Sequence, residues 1–424
     1  MDCTSTCPYV CGRIQGGGSD AKAEVEKLKG GAATFDIGLA ENSVILVRQK
    51  KNTENKSKME IKMSRGRVVK ILAALSIAAL FYTSLLQPKE AVDHVIEPEH
   101  VKVLHKLALS SLQQKCRPGF VRTSMEKLFS HSYNPALLPF IWKNLSNVEG
   151  ESAQKYHPPF GFRGNLDTLR DIMELLPATG TPFHSKSCQR CIVIGNSGIL
   201  RGLGFGALID SHDVTIRLND APVKGFEFDV GKKTSIRILY PESALSFANQ
   251  YDPDTIVAAI MFKGADFKWL EAVIKKKKMS LWTRMWFWRS VVQNLSLPLT
   301  NIRVVNLLVV NETATGLLNF APPTTGSLFF RKKIPTLGVI AITLATHFCD
   351  EVNFAGFGYH LERPRMRLHY YGKTRMDNMK YQLNHNVGRE TVFLRDLITK
   401  GMINDLTGGV QPPKLVNQSV DQVW

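Results

Sequence analysis

The chain has 424 residues, 44% of them hydrophobic, and a formal net charge of +17. That length holds two average domains or one large domain with appendages, and the apolar fraction excludes a chain too poor in hydrophobics to fold. The positive balance calls for anionic partners, but the basic residues are scattered without zinc-finger spacing, an RNA-binding aromatic signature or a heptad-linked basic region, which disfavours nucleic acid and leaves an acidic membrane surface or a nucleotide-sugar.

Residues 1–64 read as a tail without a packed core, because Gly16-Gly17-Gly18, mixed charges and the stretch Lys50 to Lys62 bury little. Cys3, Cys7 and Cys11 lack the paired CxxC spacing of a metal site and read as unpaired cytosolic thiols; palmitoylation is not legible from spacing. Ile71 to Leu86 is uninterrupted by charge, and Val68-Val69 extend it across Lys70, whose stem can snorkel to an interface. It begins far from Met1 without a small-residue cleavage site, so an anchor is expected rather than a cleaved signal peptide. Lys56, Lys58, Lys62, Arg65 and Arg67 precede it, and Glu90, Asp93, Glu97 and Glu99 follow. Since the positive flank stays cytosolic, the expectation is a type II signal anchor, with a cytosolic tail at 1–67, a transmembrane span at 68–87, a stem at 88–155 and a luminal domain at 156–424. Helical patches at His100 to Gln114 and Met125 to Phe129 suit a stem with some structure. Sequons at Asn144, Asn294, Asn311 and Asn417 are candidates for N-glycan in a lumen.

From Tyr156 to about Leu406, apolar strands alternate with amphipathic helices, the pattern of a parallel α/β sheet flanked by helices. The opening unit is Cys188 to Tyr240. Ile192-Val193-Ile194 stops at Gly195-Asn196-Ser197-Gly198, a leucine- and glycine-spaced segment to Leu208 reads as a helix, and Val214-Thr215-Ile216 reads as the next strand. Glycines at such a turn let the backbone approach a ligand, and the following helix start offers N–H groups to a phosphate. Ligands of such sheets sit at the carboxyl ends of strands, where Asn196 and Asn219 fall. A nucleotide site is therefore expected, although the spacing is not the GxGxxG of a dehydrogenase.

Thr255 to Phe262 and Ile302 to Val305 are further strand candidates. Asp266 to Lys277 reads as a helix whose basic end, Lys275 to Lys278, complements the helix dipole. A second helix is expected through Trp282 to Val292; its Trp282, Trp286, Phe287 and Trp288 read as core, with a membrane- or glycolipid-facing role as the alternative. Thr336 to Cys349 reads as a buried helix leading into a strand at Glu351 to Phe357, with Gly356 and Gly358 as close-approach glycines at its end. Beyond Gly408 the chain is polar and reads as loose.

Cys116, Cys188, Cys191 and Cys349 are an even set in the luminal portion, which suggests two disulfides with three connectivities open. Cys188 and Cys191 precede a strand, whereas a redox CxxC belongs after one at a helix start. His369 and His385 are the notable titratable groups, with Glu390 five residues beyond the second. A histidine is the natural base near neutral pH, and another can give a hydrogen bond to a leaving phosphate. Asp252-Pro253-Asp254 mimics a metal-holding DxD, but it sits on a turn before a strand and is read as no metal site. GxSxG, HExxH and P-loop motifs do not occur.

In this order, these pieces resemble the animal sialyltransferase family. Cys188 to Asp229 is similar to its large motif, Pro335 to Phe357 to its small motif, His369-Tyr370-Tyr371-Gly372 to its third motif and His385 through Glu390 to its very small motif. The resemblance covers about residues 156–406 and, through RLNDAPVKGFEFDVG, CDEVNFAGFGY and LHYY, is nearest the α-2,3-linking branch. KCRPGFVRTSMEKLF and HPPFGFRG are most similar to members acting on lactosylceramide, with the N-acetyllactosaminide branch second. Asp220 stands where this branch commonly has Ser, and Gly372 where an acidic residue is frequent.

The resemblance implies a GT-A-like variant of a Rossmann-like fold and an inverting transfer of sialic acid from CMP-sialic acid to the 3-hydroxyl of a terminal galactose, at the Golgi membrane. It makes His385 the base for the acceptor hydroxyl and His369 the stabiliser of the departing CMP phosphate. Asn196, Ser197, Gly198, Asn219, Thr336, Leu337, Gly338, Gly356 and Gly358 would hold the CMP portion. Cys191 would bridge to Cys349, and Cys188 to Cys116. Bond cleavage builds positive charge on the sugar and negative charge on the phosphate, so a cationic pocket is expected to favour the transition state. CMP carries one phosphate and leaves readily, so no metal or other cofactor is expected. Association with itself or with other Golgi transferases stays open. The competing readings are a membrane-anchored glycan-binding protein with an inactive transferase fold and a nicotinamide-dependent oxidoreductase.

The topology has a direct check. In sealed microsomes the region after residue 87 should resist external protease and carry N-glycan on at least one of Asn144, Asn294, Asn311 and Asn417. Digestion of that region from outside would contradict the signal-anchor reading.

Overall fold

The computed structural model describes residues 25–30, 33–40, 43–49, 59–85, 90–177, 187–245, 251–322, 334–380 and 384–412. Cys3, Cys7, Cys11 and Asn417 lie outside the described residues. Two compact units are present, Met1–Lys89 and Glu90–Trp424.

In the first unit, β1 (Val25–Gly30), β2 (Ala33–Ala40), β3 (Ser43–Gln49) and β4 (Met59–Ser64) form an antiparallel sheet in sequence order. The expectation of a tail over 1–64 is corrected here. Met59, Ile61 and Met63 alternate with Glu60 and Lys62, the period of a strand, and high polarity concealed it. α1 (Arg65–Leu85) covers the expected anchor, and its described side chains from 69 to 78 are all exposed. Among the described residues, no helix is long and apolar enough to cross a membrane.

The second unit contains α2 (Pro98–Gln113), α3 (Phe120–Phe129), α4 (Glu151–Gln154) and α5 (Leu166–Leu175) before its first sheet strand. There follow β5 (Arg190–Ile194), α6 (Gly206–Asp210), β6 (Val214–Leu218), α7 (Glu227–Val230), β7 (Ile236–Leu239) and β8 (Ile256–Ala259). α8 (Gly264–Ile274), α9 (Leu281–Arg284), β9 (Ile302–Val304), α10 (Leu307–Asn311), α11 (Leu337–Thr346), β10 (Glu351–Ala355), α12 (Val387–Thr399) and β11 (Ile403–Asp405) complete it. The seven strands are parallel in the order β11-β10-β5-β6-β7-β8-β9, so the strand order reverses between β5 and β10. Apolar runs such as Ile192 to Ile194 have no polar alternation because both sheet faces are covered. Cys191 and Val193 enter one core, while Ile192 and Ile194 enter the other with Leu104 and Ala108 of α2.

That packing revises the stem. Leu104 and Ala108 of α2 and Val121 and Met125 of α3 are fully buried, spaced four residues apart on one face of each helix. Residues 90–155 thus belong to the same compact unit as the sheet. Two helices fail to extend as read. From Ser197 to Leu208 there is a single 3-10 turn at Gly198–Leu200 and then the short α6, because Gly202 and Gly204 take φ of +82° and +64° between them. Only one turn, α9, forms within Trp282 to Val292. Asn144 and Asn294 are exposed, while Asn311 is half-buried at the end of α10.

Both disulfides form, Cys116–Cys188 and Cys191–Cys349, each with 6.0 Å between Cα atoms. The second ties β5 to the chain entering its neighbour β10, closing 158 residues, which chain-entropy reckoning values at up to roughly 5 kcal/mol. The double variant Cys191→Ala/Cys349→Ala should unfold at a clearly lower denaturant concentration than the wild type. Equal stability, or peptide mapping that finds both thiols free in the active protein, would remove this role.

Candidate active site

The carboxyl ends of β5, β6, β7, β8 and β10 open into one cleft of about 530 Å³. Its floor is the reversal point of the sheet. There the Gly195 N–H donates to the Ala355 carbonyl at 2.8 Å, and the Ser197 N–H donates to the Gly356 carbonyl at 3.0 Å. A Cβ on Gly195 would lie 2.2 Å from the Gly356 oxygen, so the two turns meet only as glycine. A third segment joins on the other side: the Tyr370 N–H donates to the Asn196 carbonyl at 3.0 Å, and the Gly198 N–H to the Leu368 carbonyl at 3.2 Å. The three segments far apart in sequence are therefore held by main-chain bonds, which places the His369 ring beside the turn.

His385 precedes the N-cap of α12, where the Asn386 side chain accepts from the Arg389 N–H at 3.1 Å. His385 Nδ1 lies 2.8 Å from the Ile334 carbonyl. A carbonyl only accepts, so Nδ1 carries the proton and Nε2 is the basic nitrogen of the neutral ring. Burial lowers the pKa of His385, and the Ile334 bond opposes it. Burial thus favours the neutral imidazole. His369 stacks on Tyr371 at 5.1 Å, and burial brings its pKa down to about 4 against the opposing charge of Asp220.

Glu390 answers what lies five residues beyond His385. It is buried and turns to Thr336, whose N–H donates to Oε1 at 2.9 Å and whose hydroxyl donates to Oε2 at 2.5 Å. Thr336 also caps α11, accepting from the Val339 N–H at 3.5 Å. Glu390 therefore fixes the start of α11 relative to α12 and the His385 loop. Burial raises its pKa to about 7, although both bonds from Thr336 pull it down.

Asn196, Ser197, Asn219, Thr336, Leu337, Gly338, Gly356, Gly358, His369 and His385 all line the cleft. Gly198 does not; it lies behind the wall, where a Cβ would meet the Arg367 carbonyl oxygen at 2.5 Å. Asn219 takes a left-handed φ of +56°, and its Oδ1 is buried with no hydrogen-bond partner among the described residues, an acceptor suited to a bound donor group. The helix start facing the cleft is that of α11, not the broken segment after Ser197.

Tyr240, Glu242, Phe262, Lys263, Trp288 and Tyr359 also line the cleft and were missed in the sequence. Most follow β7 and β8, so assigning every strand end would have found them. Lys263 bonds Glu242 Oε1 at 2.9 Å and Asp266 Oδ1 at 2.7 Å, so its charge is already engaged. Asp220 is likewise matched, by Arg289 Nη2 at 2.9 Å. Among the described residues, the cleft presents neutral imidazoles and main-chain donors rather than the expected cationic pocket. Asp252 and Asp254 are exposed at the amino end of β8, the opposite sheet edge from the cleft. Gly372 has φ +69°, a conformation that an acidic residue would adopt at a cost.

The buried carboxyl yields a stability prediction. Because the folded-state pKa of Glu390 is raised above the ordinary 4.5, its stabilisation is full below that pH and is lost as pH rises through about 7. Glu390→Gln should flatten the decline in denaturant midpoint across this window. A decline of unchanged size in the variant would contradict the assignment.

The profile of glycosyltransferase family 29 (sialyltransferase) matches residues 140–402. A human relative, lactosylceramide alpha-2,3-sialyltransferase, is 44% identical over 319 residues, 75% of this chain and 76% of its own. A mouse relative, CMP-N-acetylneuraminate-beta-1,4-galactoside alpha-2,3-sialyltransferase, is 38% identical over 303 residues, 70% of this chain and 78% of its own. The crystal structure of a mammalian sialyltransferase superposes with a TM-score of 0.52 at 25% identity, covering 66% of this chain and 93% of that one. A mammalian sialyltransferase in complex with Gal-beta-1-3GalNAc-ortho-nitrophenol gives a TM-score of 0.53 at 23% identity, covering 69% and 98%. With its profile match covering β5 to β10 and both cleft histidines, the chain belongs to glycosyltransferase family 29, the sialyltransferases.

Proposed function

We propose that the chain transfers sialic acid from CMP-sialic acid to the 3-hydroxyl of the terminal galactose of lactosylceramide, forming ganglioside GM3 by a single inverting displacement. The identity to the human lactosylceramide relative, 44% over 75% of the chain, supports this acceptor. The observation that carries the chemistry is the His385 ring, held through Nδ1 by the Ile334 carbonyl on the wall of the cleft.

In this reading Nε2 of His385 takes the proton of the galactose 3-hydroxyl as the oxygen attacks the anomeric carbon. The bond from that carbon to the phosphate oxygen breaks on the opposite face, and CMP departs with the electron pair. His369, neutral at physiological pH, donates an N–H to the phosphate as its charge grows. Asn196, Ser197, Asn219 and Gly356 hold the nucleotide, and Thr336, Leu337 and Gly338 turn the first N–H groups of α11 towards the phosphate. Glu390 positions that helix start through its two bonds with Thr336. CMP bears one phosphate, so the reaction as proposed runs without a metal.

The cellular reading follows. Residues 1–67 are cytosolic, 68–87 anchor the chain in the Golgi membrane as a single-pass type II protein, and the remainder is luminal, with only a short stem before the packed α2. The exposed apolar side chains Val69, Ile71, Leu72, Leu75 and Ile77 on α1 support the anchor.

Transfer from CMP-sialic acid to lactosylceramide, N-acetyllactosamine and a core O-glycan tests the acceptor, with lactosylceramide expected to be used best. Preference for N-acetyllactosamine would move the chain to the glycoprotein branch. Removal of a positioned base costs about 100- to 10,000-fold in rate. His385→Ala should lose turnover on that order while retaining CMP, since the nucleotide contacts lie elsewhere. Near-native turnover of a folded His385→Ala protein would end the mechanism.

A further inference from the structure

The segment from Leu281 to Trp288 presents its apolar side chains outward. Leu281, Trp282, Met285, Trp286 and Trp288 are between 71% and 78% exposed. Isolated exposed apolar residues are ordinary in a soluble domain, but five large ones within eight positions make a patch that needs a partner. The loop is pinned from beneath. Phe287 is 9% exposed and packs in the core with Lys263 Nζ 4.6 Å from its ring centroid. Trp269 Nε1 donates to the Val292 carbonyl at 2.7 Å, and the Ser280 hydroxyl accepts from the Thr283 N–H at 3.1 Å. Burial of Phe287 therefore forces its neighbours to point away from the core.

We infer that this patch seats the catalytic unit on an anionic lipid bilayer. Three features on the molecule select a bilayer. Tryptophan, methionine and leucine together suit the headgroup–acyl boundary, where an indole buries its ring and keeps its N–H wet. Lys276, Lys277, Lys278 and Arg284 are exposed beside the patch, and no acidic residue occurs between Glu271 and Glu312, so the face complements an anionic surface. Trp288 belongs both to the patch and to the wall of the cleft, so the apolar surface runs to the mouth of the site. A bilayer contacted by the indoles brings that mouth to the level of lipid headgroups. The consequence for catalysis rests on the lactosylceramide reading above, because a galactose only two glycosidic bonds from its ceramide stays near that level; membrane contact itself does not depend on it.

The test uses the full chain in vesicles of phosphatidylcholine and phosphatidylserine, with and without brominated acyl chains, and no donor or acceptor. Tryptophan emission should be quenched by the brominated lipid, and Trp282→Phe/Trp286→Phe should lose most of that quenching. Quenching should weaken when phosphatidylserine is omitted. In a second arm, Trp282→Ser/Met285→Ser/Trp286→Ser should raise the KM for lactosylceramide in vesicles severalfold while leaving kcat/KM on a water-soluble lactoside unchanged. Quenching that the two substitutions leave intact would overturn the proposal, as would an unquenched patch covered by a second copy of the chain in sedimentation. Clear quenching without turnover of lactosylceramide would keep the membrane surface and sink only the acceptor reading.

Discussion

The contact between Gly195 and Gly356 is the constraint on which the cleft depends. A Cβ on the first would stand 2.2 Å from the carbonyl oxygen of the second, well inside van der Waals contact, so no side chain fits between the ends of β5 and β10. This is also where the strand order reverses, and adjoining crossovers leave the sheet on opposite faces. The gap so created is the cleft. At the amino end of the same seam, Cys191 and Cys349 join the two strands covalently, and Arg190 Nε bonds Glu351 Oε2 across it at 2.8 Å. One seam is thus locked by a disulfide and an ion pair at one end, and zipped by main-chain bonds at the other, where the substrate would lie.

Burial sets the electrostatics of this cleft. It drives His369, His385 and Glu390 in the same direction, towards their uncharged forms. Among the described residues, the +17 of the chain therefore does not describe the cleft. Lys263 is shared between two buried carboxylates, and the charge of Asp220 is met by Arg289. A neutral histidine that can accept a proton is what attack by a sugar hydroxyl requires, and a neutral one that can donate an N–H still stabilises a departing phosphate. The excess positive charge acts at longer range, on the outer surface, and part of it surrounds the exposed tryptophans.

Much of this was legible in the sequence, for identifiable reasons. Ile192 to Ile194 of β5 and Val352 to Ala355 of β10 belong to strands covered on both faces, which leaves mostly apolar runs that end in glycine. The remainder was concealed by features that mimic something else. β6 and β7 each carry a buried arginine, Arg217 and Arg237, whose guanidinium groups bond main-chain carbonyls; Ile236-Arg237-Ile238 of β7 consequently shows the alternation of a half-exposed strand, and Tyr240 and Glu242 beyond it were not placed in the site. Gly202 and Gly204 break a leucine-spaced stretch that otherwise has helical periodicity. The tryptophan cluster was read as core because aromatic side chains usually are, yet only Phe287 is. Glu390 had no partner along its own helix face, since Thr336 is 54 residues away in the chain.

The central claim is that burial and the Ile334 carbonyl hold His385 neutral, protonated on Nδ1, ready to accept a proton on Nε2. Nitrogen-15 NMR of the histidine side chains, with His385 assigned by substitution, reads both tautomer and charge. At pH 6.5, where an ordinary histidine is half charged, the account predicts a neutral His385 ring with the Nδ1–H tautomer dominant. A ring half protonated at that pH, or one carrying its proton on Nε2, would contradict it.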